Sequence, residues 1–162
     1  MAIRARPSGT TAQHRRIAAA AAGRGERPEP WRAVPAGADA VARHLAACAL
    51  VVDAFAAVDS AERSFALPEF GAGAAFPAGR AIGFHLVDYV VHGWNVARSL
   101  GLPCAPDAGL LEAALPLALA VPDGGRRLEP GAPFRPALTP HGAAHPLDRI
   151  LTALGRSPQW SG

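Results

Sequence analysis

An all-α helical bundle is the fold class this sequence predicts, on three observations. Apolar residues recur at helical spacing over 39–58 and 76–100, and the Pro- and Gly-rich stretches fall between such segments. Half of the residues are apolar but only 6% are aromatic, so alanine carries much of the apolar content and the interior must come from close-packed helices. A chain of 162 residues is one domain's worth, long enough to bury a core. The expected organisation is an irregular basic N-terminus over 1–10 and a single helical domain over 11–162.

Taken in order, residues 1–10 hold Pro7, Gly9 and scattered Arg without periodicity, and 23–37 is dense in Pro, Gly and charge. Both predict irregular chain. Between them, 11–22 has helix-forming composition, with Thr10 or Thr11 as N-cap and Gly23 as stop. Over 39–58, Val41, Leu45, Cys48, Val52 and Phe55 fall at alternating spacings of four and three, which predicts an amphipathic helix with that stripe inward. The alternation in SFALPEF allows a brief strand, but Pro68 argues against a central one, so 59–75 reads as an extended connector. The central helix is 76–100, with Pro77 in its first turn and Gly101 and Pro103 as its end. A further helix over 106–120 opens at Pro106 and Asp107, and a short last one over 146–154 ends at Gly155, with Pro/Gly-rich loop between them.

Every one of the sixteen basic residues is Arg, which with the Ala, Gly and Pro excess reads as codon bias and carries no functional weight. Residues 1–35 hold seven of those Arg against Glu26 and Glu29. Such an arm can bind nucleic acid through phosphates, but it lacks aromatic interleaving and any zinc-finger or recognition-helix pattern, so nucleic acid is not the expected partner. Cys48 and Cys104 are too few for a disulfide framework and form no CxxC. No apolar run reaches the roughly 18 to 20 residues of a membrane span, and the N-terminus has no secretory apolar region. A cytoplasmic protein without a membrane partner is the expectation.

The chemistry concentrates in GFHLVDYVVHGWNVA. On a helix, His85, Asp88, His92 and Asn95 lie within an arc of about 80°, and the rest of the circumference is almost all apolar. A solvated face is the plain alternative, but such a face in this chain would be expected to use Arg, Glu or Ala, and these four are all metal-ligating or hydrogen-bonding types. Asp88 and His92, one turn apart, can grip a divalent ion from the same side; a zinc-like site then needs a third protein ligand from a neighbouring helix. Trp94 reads as a core anchor.

HLVDYVVHGWNVARSLG resembles the signature of the DinB-like superfamily, in the branch related to mycothiol-dependent maleylpyruvate isomerase, and PLDRILTALGRSPQW is similar to the C-terminus of a short single-domain subgroup. The resemblance spans His14 to Trp160. It implies a four-helix bundle holding a divalent metal, zinc or nickel, by two motif ligands and a His from an earlier helix. Asp88 and His92 match the motif ligands, and Asn95 stands as an outer orienting residue where the subgroup often has Asp. It also implies chemistry in which the metal binds a low-molecular-weight thiol as thiolate for attack on an electrophile, as in an isomerase or transferase. The departure is at the front. QHRRIAAAAAGRG resembles the end of the family's second helix, which puts the third ligand near Gly9, where there is no His, and the family's first helix has no counterpart. The expectation is a member shortened or altered at its N-terminus, with an incomplete metal site.

His85 and His14 are the substitutes for the missing ligand, although five residues along a helix turns His14 by about 140° and shifts it about 7.5 Å. His44 reads as a helix-surface residue, His141 and His145 as exposed loop residues, Cys48 as a core thiol and Cys104 as a loop thiol. Two other functions stand beside the metal-binding one: a non-catalytic helical interaction module, for instance a homodimer, and a basic-arm nucleic-acid binder.

Overall fold

Five helices and one small sheet make up the computed structural model, which describes residues 7–27, 37–140, 142 and 144–160. The order is α1 (Pro7–Ala21), α2 (Ala40–Ala56), β1 (Ser64–Ala66), β2 (Ala75–Pro77), α3 (Ala78–Ser99), α4 (Ala108–Leu119) and α5 (Pro146–Ala153), with 3-10 turns at Pro68–Phe70 and Gly125–Leu128. The strands pair antiparallel, Phe65 opposite Phe76. The mainly helical class is the one the spacing predicts, but the hairpin runs past the expected connector: Phe76 and Pro77, expected to open the central helix, pair in β2 with Phe65 and Ser64, and α3 begins at Ala78. No helix among the described residues is long and apolar enough to cross a membrane.

The chain forms two compact units, dividing between His85 and Leu86. In the first, α1 packs on α2, and Ile17, Ala18, Ala20, Ala21, Val51, Phe65, Leu67, Ala78 and Ala81 form the buried cluster. Small side chains on α1 let the backbones approach closely. Alanines thus supply most of the α1 side of the apolar cluster, beside Ile17.

Helix α1 and the covered face of α2 depart from expectation. Helix α1 takes in residues 7–10, expected to be irregular, because a proline fits a first helical turn where its missing N–H is no loss. On α2 the buried residues are Ala47 and Val51, whereas Val41, Leu45 and Val52 of the expected inward stripe are 74%, 63% and 63% exposed. The sequence AVARHLAACALVVDAFA is apolar around most of its circumference, so spacing alone does not choose which face is covered. Asp39 precedes α2 without capping it, and its carboxylate pairs instead with Arg43 at 3.2 Å.

In the second unit, Val87, Val90, Val91 and Trp94 of α3 join Leu111, Ala114 and Ala118 of α4 and Leu147, Ile150, Leu151 and Leu154 in one cluster. Trp94 is 5% exposed, the core anchor expected, and lies 6.0 Å from the Trp160 ring. The Arg98 guanidinium donates to the carbonyls of Trp160 and Pro158 and ties down the C-terminal segment. Asp107 caps α4 by accepting from Gly109 N at 2.8 Å. His145, exposed as expected, caps α5 through Nδ1; His141 lies outside the described residues.

The loop after α4 is held by a buried cation. Arg127 is 4% exposed and donates to the carbonyls of Val121, Pro122, Arg135 and Ala153 at 2.7–3.0 Å, with Asp123 at 3.4 Å from Nε. Four carbonyls satisfy the guanidinium, which is what a buried charge requires.

Candidate metal centre

Within the first unit, α1, α2 and the first residues of α3 bring their metal-ligating side chains together. Thr11 and His14 are one turn apart on α1, His44 and Cys48 are one turn apart on α2, and His85 comes from α3. His14, 2% exposed, lies at the centre. Its Nε2 is 3.2 Å from Cys48 Sγ, and its Nδ1 is 3.2 Å from His85 Nε2. His44 Nε2 is 3.7 Å from the same sulfur, and His44 Nδ1 is 3.2 Å from Thr11 Oγ1. The His14 ring stacks at a tilt on His44 and edge-on to His85, with centroids 5.3 and 5.2 Å apart, and Phe55 meets His85 edge-on.

The proton count along this chain of contacts is self-consistent with the rings neutral. If His14 carries its proton on Nδ1 and donates to His85 Nε2, its Nε2 presents a lone pair towards Cys48. If His44 carries its proton on Nδ1, facing Thr11 Oγ1, its Nε2 does the same. Burial pushes the Cys48 thiol above its ordinary pKa of 9.0, so the metal-free group holds a neutral S–H that His14 Nε2 can accept.

His14, His44 and Cys48 are the one group of three metal-ligating residues among the described residues, their donor atoms all within 4.8 Å of one another. The spacing suits an ion. With bond lengths of about 2.3 Å to sulfur and about 2.05 Å to nitrogen, a tetrahedral centre separates S and N by about 3.6 Å, and the observed separations of 3.2 and 3.7 Å bracket that value. Outer hydrogen bonds from the non-ligating Nδ1–H groups of His44 and His14 to Thr11 Oγ1 and His85 Nε2 are the second feature such centres use.

No protein-family model, curated protein or solved structure matches this chain.

His14 and His85 join the centre just described. Asp88 and His92 pair with each other, Oδ1 to Nε2 at 3.1 Å, both side chains about one-third exposed. Arg156 lies near Asp88; burial lowers the guanidinium's pKa, and the Asp88 carboxylate opposes that by favouring the charged form. Asn95 is half-buried. His44 and Cys48, read from sequence as a surface residue and a core thiol, are instead half-buried partners in the centre. Their signal was present: His44 and Cys48 have the same one-turn spacing as Asp88 and His92.

Proposed function

We propose that this chain is a metal-binding helical protein that holds one divalent transition ion, zinc or nickel, on His14 Nε2, His44 Nε2 and Cys48 Sγ. One observation carries the reading: three donors from two helices converge within 4.8 Å of one another, and the outer nitrogen of each ring faces a partner that fixes its tautomer for ligation through Nε2. Mixed thiolate and imidazole donors suit zinc, nickel and copper better than calcium or magnesium, which prefer oxygen. The membership of a DinB-like four-helix family, with a small-molecule thiol and an electrophile as reactants, is the family-level part of the proposal and rests on the resemblance of the α3 motif and of the C-terminal segment PLDRILTALGRSPQW.

A second reading keeps the ion on Asp88 and His92, and the 3.1 Å contact between them favours it. Metal stoichiometry by mass spectrometry and affinity by calorimetry separate the two. Cys48→Ser and His44→Ala should lower zinc affinity by orders of magnitude while Asp88→Ala and His92→Ala leave it within a few-fold. The reverse pattern moves the ion to α3. No zinc or nickel on the wild-type chain ends the metal-binding reading.

A further inference from the structure

We infer that the His14, His44 and Cys48 centre is an open one, leaving the ion a fourth coordination position for water or a small monodentate anion. The inference rests on the metal reading above and adds the class of ligand the ion would take.

Closed structural sites surround a zinc-class ion with four protein donors, whereas three donors leave a position for an exogenous ligand. Among the described residues, His85 is the further donor in contact with this cluster, and the proton count assigns it another role. For His14 to ligate through Nε2, its Nδ1 must keep the proton; that N–H faces His85 Nε2 at 3.2 Å, so the His85 lone pair is engaged as an acceptor and its own proton sits on Nδ1. Thr11 Oγ1 is engaged in the same way at His44 Nδ1. Both are positioning residues that aim the rings, not ligands. Access follows from burial: His14 is enclosed, but His44 and Cys48 are only half-buried, so small solutes can reach the α2 side of the ion. Charge favours an anion there, since a divalent ion with a single thiolate and two neutral imidazoles keeps a net charge of +1.

The test uses the full chain loaded with cobalt(II), whose visible bands report coordination and whose thiolate charge-transfer band reports Cys48. Azide is the probe. The expected result is a charge-transfer band that Cys48→Ser removes, and a saturable one-to-one change in the visible bands on adding azide to the wild type and to His85→Gln alike. A wild type that ignores azide while His85→Gln responds makes His85 the fourth ligand and overturns the open site, with the metal reading intact. Indifference in both proteins means another protein group closes the site and overturns it too. X-ray absorption on the wild-type zinc form gives the same decision without a variant: one sulfur, two imidazoles and one further light atom support the open site, and a third imidazole sinks it. Failure to bind cobalt or zinc, or a charge-transfer band that survives Cys48→Ser, counts instead against the metal reading itself.

Discussion

Cys48 and its neighbours set what single residues can be asked. Because burial raises the thiol's pKa, the metal-free protein holds Cys48 as S–H at neutral pH, and the ring tautomers compatible with that state are the ones ligation needs. Loading should therefore release one proton per ion from the thiol, a value readable from zinc titrations in buffers of different ionisation enthalpy. The same shift makes a stability statement. A group whose folded pKa is raised stabilises the fold below its unfolded value and loses that contribution as pH rises through the folded one. Without metal, the urea midpoint should fall as pH climbs above 9.0, the ordinary thiol value, and Cys48→Ser should lack that part of the slope. Thr11→Val and His85→Ala keep all three ligands but free one ring nitrogen each, and calorimetry should show zinc affinity about 10–100-fold weaker for either.

At the scale of elements, the second unit depends on a loop that its composition would leave loose. Arg127 joins the turn after α4 to residues 135 and 153 through carbonyls, so Arg127→Met should cost about 3–5 kcal/mol in urea unfolding, leaving four acceptors without their donor. Arg127→Lys keeps the charge but loses the planar fork, and should recover only part of it. Two helix-ending glycines offer a matched pair. Gly101 and Gly155 have φ of 67° and 72°, and both end their helices with paired backbone bonds, Leu102 N to Ala97 O and Arg156 N to Leu151 O. A Cβ at Gly101 meets open space, whereas one at Gly155 runs into the Arg135 carbonyl. Gly101→Ala should cost about 1 kcal/mol for its backbone conformation alone. Gly155→Ala should cost clearly more, and equal losses in thermal unfolding would refute the close approach.

Across the whole molecule, the two hydrophobic clusters divide the work. All of the centre's residues lie in the first unit, so an ion bound there stabilises that unit in proportion to its occupancy. Hydrogen exchange with and without zinc should show added protection in α1 and α2 exceeding that in α4 and α5; protection spread evenly would mean that the two clusters open as one. Local signals in the sequence determined the helices themselves: the opening at Asp107, the stops at Gly101 and Gly155, and the apolar spacing read over 39–58 and 76–100 all act within a few residues along the chain. So was the burial of Trp94, the one large aromatic on an otherwise aliphatic helix face. Only the tertiary structure decided which face of α2 is covered, because that helix is apolar almost all round and its partner's alanines select the small side of it. Only it could join His14, His44, Cys48 and His85, since residues up to 71 positions apart meet there. Ligand spacing within one helix is written in the sequence, but the convergence of donors from different helices is a property of how those helices pack.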